Sequence, residues 1–150
     1  TQLIIAYGNP LHGDDGLGWH AARRLEKESL PPSTGIETHH KLLADLAYPL
    51  SCCQTAVFVA AARGGEIGAV LSRPLRPKPA DAVADTPLTP EALLAHTLNL
   101  YGQCPRAFHV AIVGRAFGLC DRVSHQVSAA LPQLTDRVRM LLSAAPVLVA

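Results

Sequence analysis

The chain has 150 residues, which is enough for one domain with a full hydrophobic core. Apolar residues make up 49% of it but aromatic residues only 5%, so the core must consist mainly of Ala, Leu, Val and Ile. The 13 Lys and Arg residues nearly balance the 12 Asp and Glu residues, which argues against a nucleic-acid-binding surface. We therefore expect one domain spanning residues 1–150.

No apolar run reaches the ~18 residues that a membrane span needs, and no signal-peptide pattern opens the sequence. We therefore expect a cytoplasmic protein without membrane contact. The spacing of the cysteines forms neither a zinc signature nor a disulfide framework, so reduced thiols are expected at Cys52, Cys53, Cys104 and Cys120.

The first half of the chain alternates apolar runs with amphipathic segments. Residues 3–7 (LIIAY) and 55–60 (TAVFVA) are typical of strands buried on both faces of a parallel sheet. Residues 17–30 predict a helix with one apolar and one charged face. Weaker patterns predict a strand at residues 36–41 and a helix at residues 42–50.

The second half continues the alternation. Residues 68–73 predict a short edge strand, and residues 73–87, which contain four prolines, predict a long irregular loop. Thr89-Pro90 is typical of a helix start, and this helix should end at Gly102. Residues 107–113 predict a third buried strand, and residues 123–142 predict a final helix that is interrupted or restarts near Pro132.

This order of elements predicts an α/β fold: a three-layer αβα sandwich around a mostly parallel, twisted sheet. In such sheets the functional crevice lies at the carboxyl ends of the strands. The residues that follow Tyr7, Ala60 and Val113 are therefore the first candidates for a site.

The segment GNPLHGDDGLG follows the first strand. Gly8, Asn9 and Gly16 allow a tight loop that approaches a ligand closely, and Gly13 adds to its freedom. One of the two acids that follow, Asp14, is expected to shape the turn and cap the helix, which leaves Asp15 for metal or proton chemistry. The alternative is that both acids only cap.

A nucleotide-binding loop is the alternative interpretation of these glycines. The spacing differs from G-x-G-x-x-G, and the phosphate-binding pattern G-x-x-x-x-G-K-[ST] is missing. His39 and His40 stand where a dinucleotide-binding chain carries an acid at the end of its second strand.

The opening stretch LIIAYGNPLHGDDGLGWHAARRL resembles the start of the nickel–iron hydrogenase maturation peptidases, above all the subgroup that serves soluble NAD-linked hydrogenases. Their signature is a strand followed by G-N-x-L-x-x-D-[DE]-x-x-G and a helix. The stretches HHKLLADLAYPLS, AVFVAAARGGEIGAV and LTPEALLAHTLNLYGQCPRAFHVAIVG resemble later segments of the family in the same order.

The resemblance implies an endopeptidase that removes the C-terminal extension of a hydrogenase large subunit after nickel insertion. Nickel carried by the substrate would be bound by three residues, of which Asp15 is the first. The other two positions are Ala60, where the family has Asp, and Thr86 (or Pro87 if the match slips by one), where it has His. Neither a methyl group nor a Thr hydroxyl replaces these ligands well.

Two functions therefore stay open: an active nickel-guided endopeptidase, or a catalytically degenerate homologue that binds the large-subunit precursor as a chaperone or scaffold. The candidates for replacing a lost ligand are His12, His39, His40 and His96. A cysteine nucleophile lacks a His-and-acid pattern, and the adjacent side chains of Ser124 and His125 should diverge on a helix.

Overall fold

The computed structural model describes residues 1–80 and 87–144. Within these residues the chain forms five strands: β1 (Gln2–Tyr7), β2 (Thr34–His39), β3 (Thr55–Ala62), β4 (Val70–Leu75) and β5 (Arg106–Val113). Four α-helices alternate with them: α1 (Leu17–Glu26), α2 (Ala47–Ser51), α3 (Pro90–Tyr101) and α4 (His125–Ser143). The α/β alternation predicted from the sequence is confirmed.

The strands form one sheet in the order β2-β1-β3-β5-β4. The first four run parallel, whereas β4 is antiparallel to β5 at the edge. The register places the carboxyl ends of the central strands side by side: Ala6 pairs with Val59, and Ala60 pairs with Ala111. Loops that follow β1, β3 and β5 therefore meet at one edge of the sheet, as the sequence predicted.

Helices cover both faces of the sheet. The face that carries Ile4, Val57 and Val110 packs against α1 and α4, and the face that carries Ile5 and Phe58 packs against α2 and α3. The central strands are thus buried on both sides, which explains why their sequences are continuous apolar runs rather than alternating ones. The three-layer αβα arrangement is confirmed.

Several predicted boundaries differ from the structure. Helix α1 ends at Glu26 rather than at residue 30, and β2 occupies Thr34–His39 rather than 36–41. The predicted helix at 42–50 divides into a 3-10 turn, Ala44–Leu46, and the short α2. These segments carry few apolar residues or contain proline, so tertiary packing sets their ends.

Helix α4 continues through Pro132 without a break. Proline costs this helix a backbone hydrogen bond, and the sequence therefore predicted an interruption there. Leu131 and Leu134 on either side are nearly or fully buried against the sheet, with 6% and 0% exposure. Packing of this face outweighs the local preference. Among the described residues, no helix is long and apolar enough to cross a membrane.

Candidate functional site at the carboxyl edge of the sheet

The loop after β1 folds back on the end of its own strand. Gly8 has φ of 137°, and a Cβ atom at this position would lie only 2.0 Å from the carbonyl oxygen of Asp15. Only glycine permits this approach. The side chain of Asn9 accepts a hydrogen bond from the Leu11 N–H (2.9 Å), and the Trp19 indole donates to the Gly8 carbonyl (2.8 Å). These contacts hold the loop in one conformation.

Asp14 joins this loop to the segment between β5 and α4. It is fully buried, and its carboxylate accepts hydrogen bonds from the N–H groups of Ser124 (2.6 Å), Arg115 (2.7 Å) and Ala116 (3.1 Å). Burial opposes its ionisation, but the three backbone donors outweigh burial, so the pKa of Asp14 lies below its usual value. Asp14 has the structural surroundings of a loop anchor, and the helix end it serves is that of α4 rather than α1.

Asp15 has different surroundings. It is half-buried, and its Oδ2 accepts one hydrogen bond, from the Asn9 N–H at 2.8 Å. Its Oδ1 has no hydrogen-bond partner among the described residues. This carboxylate is fixed in direction by the loop and has an oxygen that a ligand or metal ion can reach.

Ala60 lies beside Tyr7 two residues before the end of β3, because the preceding residues Ala6 and Val59 are paired. It is 4% exposed and pairs with Ala111 on its other side. The second expected ligand position is therefore at the predicted edge of the sheet, but it carries a methyl group. Thr86 lies outside the described residues, and so the predicted convergence of all three positions stays a prediction.

The histidines considered as replacements are dispersed. His39 pairs with Glu37 on β2 at 3.1 Å, and the exposed His40 contacts the Trp19 ring edge-on at 5.4 Å between centroids. His12 is exposed in the loop, and His96 lies on α3. In the described part of the chain, no three His, Cys, Asp or Glu side chains lie close enough together to hold a metal ion.

A cavity of about 400 Å³ opens between the end of β3, the edge strand β4 and the start of α3. Its lining includes two hydrogen-bonded pairs of polar side chains. The Tyr7 hydroxyl lies 2.8 Å from His109 Nε2, and Arg73 Nη1 donates to Glu91 Oε1 at 2.8 Å. We call this space the Tyr7–His109 cavity.

Burial controls the ionisation of the first pair. Burial, helped by Glu91, raises the pKa of Tyr7 to about 12, and burial, helped by Arg73, lowers the pKa of His109 to about 4. Both side chains are therefore neutral at pH 7. In the second pair, burial opposes ionisation of Glu91, but the Arg73 hydrogen bond outweighs it, and the pKa of Glu91 lies below its usual value.

The sequence analysis missed His109. Its signal was present: a single imidazole inside the apolar run AFHVAIV, on the same face of β5 as Ala111. A His in a buried strand needs a hydrogen-bonding partner. The partner, Tyr7, lies 102 residues away in sequence, and only the sheet order brings them together.

Comparisons with known proteins bear on this geometry. No protein-family model and no curated protein matches the chain. Solved structures do match. The nickel–iron hydrogenase maturation protease HycI from Thermococcus kodakarensis has a TM-score of 0.73 at 20% identity, over 96% of this chain and 94% of that chain.

Two further structures agree with it. The hydrogenase maturating endopeptidase HybD from E. coli has a TM-score of 0.71 at 16% identity, covering 91% of this chain and 88% of its own. The hydrogenase 2 maturation peptidase from a Thaumarchaeota archaeon has a TM-score of 0.70 at 19% identity, covering 95% and 99%. The chain therefore has the fold of the nickel–iron hydrogenase maturation proteases, which supports the family resemblance of its sequence.

Proposed function

We propose that this protein acts in the maturation of a nickel–iron hydrogenase, as an endopeptidase on the C-terminal extension of the large-subunit precursor. The observation that carries the proposal is the placement of Asp15. The family signature GNPLHGDDG forms a fixed loop at the carboxyl edge of the sheet, and this loop presents one acid, Asp15, with a free oxygen. The shared fold of the solved maturation proteases supports the same assignment.

The residues present do not complete a metal site on their own. Asp15 offers one carboxylate, the methyl group of Ala60 offers no ligand, and one carboxylate alone binds a divalent ion weakly. Nickel would therefore arrive as part of the substrate, already held by the precursor, and Asp15 would contact it there.

Ala60 favours a second candidate function. A buried methyl group at an expected ligand position is consistent with a homologue that binds the precursor without cutting it. Such a protein would act as a chaperone or scaffold for the large subunit. Both functions share a partner and differ in whether a peptide bond is broken.

Incubation with a nickel-loaded large-subunit precursor separates these possibilities. An active endopeptidase shortens the precursor, which is seen as a mobility shift on a gel, and Asp15→Asn should reduce the rate at least 10-fold. Asp45→Asn, which changes an exposed acid on the 3-10 turn before α2, should leave the rate unchanged.

Co-purification of an uncut precursor with the protein would support the scaffold function. If the protein neither cuts nor binds the precursor, the assignment to hydrogenase maturation is wrong. An undiminished rate in Asp15→Asn would show that the reaction does not depend on the family's acid.

A further inference from the structure

We propose that the outer edge of β4 binds a segment of the partner polypeptide in extended conformation, as an added strand parallel to β4. This assignment rests on the proposed function, because the segment would belong to the C-terminal extension of the precursor, beyond the bond that lies at Asp15. Four features of β4 lead to it: the direction of its main-chain groups, its exposure, the charge beside it and its place in the sheet.

The main-chain groups of β4 point alternately to β5 and to the outer side of the sheet. Ala69, which precedes the paired residue Val70, accepts a hydrogen bond from the Val113 N–H of β5 at 3.0 Å. In an antiparallel pair this direction repeats at every second residue. The main-chain groups of Leu71, Arg73 and Leu75 therefore point to β5.

The outer side of β4 has three acceptors and two donors. The N–H and C=O groups of Val70 and Ser72 point outward, and so does the C=O of Pro74, which has no N–H. None of these five groups bonds to another residue in the described part of the chain. They form a row with the spacing of a strand, which matches the backbone of an extended polypeptide.

Exposure distinguishes β4 from β2, the strand at the other edge of the sheet. Four consecutive residues of β4, 71–74, are exposed, whereas Gly35 is the one exposed residue of β2. Leu71 is 49% exposed and lies on the face of β4 that lines the Tyr7–His109 cavity. An exposed edge with unpaired main-chain groups can pair with a further strand, and an added strand would cover this leucine.

Arg137 of α4 gives the opposite face of this edge a positive charge. Its Nη1 donates to Ser72 Oγ at 2.7 Å, and it forms no ion pair with the described acids. Side chains of an added strand would lie alternately beside Arg137 and beside Leu71. The preferred segment therefore alternates acidic and apolar residues. A second copy of β4 fits less well, because it would bring a second Arg137 to the same junction.

The place of β4 in the sheet sets the direction of the segment. Because β4 is antiparallel to β5, Val70 lies towards the carboxyl edge that carries Asp15, and Leu75 lies towards the other end. A chain that leads away from Asp15 would therefore run parallel to β4. Four strand spacings separate β1 from the added strand, about 19 Å, which about six extended residues can span.

The peptide fluorescein-Gly-Val-Glu-Val-Glu-Val-Glu-Val-amide tests strand addition by fluorescence polarisation with the whole protein. In a parallel strand, the residue opposite Ser72 turns its main-chain groups away from β4, and its two neighbours, which face Leu71, form the hydrogen bonds. N-methylation of the Val residues should therefore weaken binding about 10-fold or more, whereas N-methylation of the Glu residues should leave it unchanged.

Ser72→Pro and Ser72→Ala separate the main chain from the side chain. Proline removes one outward N–H and leaves the bonds to β5 in place, as Pro74 already does two residues further on. Ser72→Pro should weaken the unmodified peptide about 10-fold. Ser72→Ala keeps the N–H and should keep the affinity. The amide NMR spectrum of each variant verifies its fold.

An analogue with Lys in place of Glu tests the charge of the edge. It should bind about 10-fold more weakly than the Glu peptide, and Arg137→Gln should remove most of this difference. Arg24→Gln, at an exposed position of α1, is the matched control and should preserve it.

Several results would overturn the proposal: no binding of the Glu peptide, equal losses from the two methylated peptides, preference for the Lys analogue, or equal effects of Ser72→Pro and Ser72→Ala. Loss with methylated Glu alone would indicate an antiparallel strand and overturn the proposed direction. A dimer of the natural protein that Ser72→Pro dissociates in sedimentation would assign the edge to a second copy instead.

These measurements do not depend on a hydrogenase. A precursor that ends about six residues beyond the bond should be bound about 10-fold more weakly than the full precursor, and equal binding would show that its extension does not reach β4. Cleavage or retention of the precursor without peptide binding would refute strand addition alone. Alternation-dependent peptide binding by a protein that neither cuts nor binds the precursor would refute the proposed function alone.

Discussion

Asp14 and Asp15 are neighbours in sequence with very different surroundings. Asp14 is fully buried and accepts three backbone hydrogen bonds, whereas Asp15 is half-buried and accepts one, from Asn9. The difference comes from the backbone around them. A carboxylate enclosed by three N–H groups is committed to holding loops together, while one with a free oxygen is available to a ligand.

The same contrast separates two regions of the carboxyl edge. On the Asp14 side, the loop after β1 is tied to the segment before α4 by backbone contacts, including Gly13 N–H to the Cys120 carbonyl at 2.8 Å. On the side facing α3, the Tyr7–His109 cavity opens to solvent, and two pairs of polar side chains lie in its wall. Changes in the first region should cost stability, and changes in the second should alter binding and pH dependence.

The largest loss of stability is expected at Gly8, which contacts the backbone carbonyl of Asp15. Gly8→Ala places a methyl group on the Asp15 carbonyl and demands a positive φ, so the free energy of unfolding should fall by about 4 kcal/mol. Gly102, at the end of α3, also has a positive φ, but no atom lies near an added Cβ. Gly102→Ala should therefore lower the free energy of unfolding by only about 1 kcal/mol. Urea denaturation measures both. Equal losses would show that contact with Asp15 does not matter.

Asp14→Asn tests the buried acid directly. The variant removes the charge and presents an NH2 group to backbone donors, so stability should fall by about 3 kcal/mol. Asp15→Asn should cost less than about 1 kcal/mol, because a single hydrogen bond is involved and an amide oxygen can keep it. A reversed order of these two losses would contradict the division of roles.

Much of this arrangement follows from the sequence. Continuous apolar runs predicted the three central parallel strands, and Thr89-Pro90 with Gly102 predicted both ends of α3, where Thr89 does accept from Ala92 and Gly102 does adopt φ of 72°. The sequence also predicted that Asp14 shapes the turn and leaves Asp15 available, but it assigned Asp14 to the start of α1 rather than to the start of α4. Local signals of this kind act within a few residues, and so a single sequence contains them.

The remainder depends on contacts between distant segments. No local signal connects Asp14 with Ser124, or Tyr7 with His109, because these pairs meet only through the order of strands in the sheet. Continuation of α4 through Pro132 likewise depends on packing against the sheet. Prediction from one chain fails at such points because tertiary contacts override local preference.

His109 should make stability depend on pH. Its pKa in the folded protein is about 4, below its usual 6.5, so between these values the unfolded chain binds the proton more readily. Stability is therefore complete above about pH 6.5 and falls as the pH approaches 4, by about 3 kcal/mol from this group. Denaturation of His109→Gln, which keeps a partner for Tyr7, should lack this part of the loss.

The difference in pH dependence between His109→Gln and the natural protein separates the contribution of His109 from that of other acid-sensitive groups. The exposed His125 provides the matched control, since His125→Gln should retain the full pH dependence of the natural protein. The cavity groups that face His109 are Tyr7, Arg73 and Glu91. If His109→Gln follows the same pH curve as the natural protein, the imidazole is not buried as the structure indicates.

The smallest expected effect concerns nickel. We expect the natural protein to bind it weakly, because Asp15 is the one acid or imidazole among the three expected positions. The double variant Ala60→Asp with Thr86→His would supply a second carboxylate and an imidazole, a mixed oxygen and nitrogen set that suits this ion. Isothermal titration should show at least ~10-fold tighter binding, or about 1.4 kcal/mol. Adding Asp15→Ala to the double variant should cancel the gain. Tight binding by the natural protein that survives Asp15→Ala would instead place the metal at other residues.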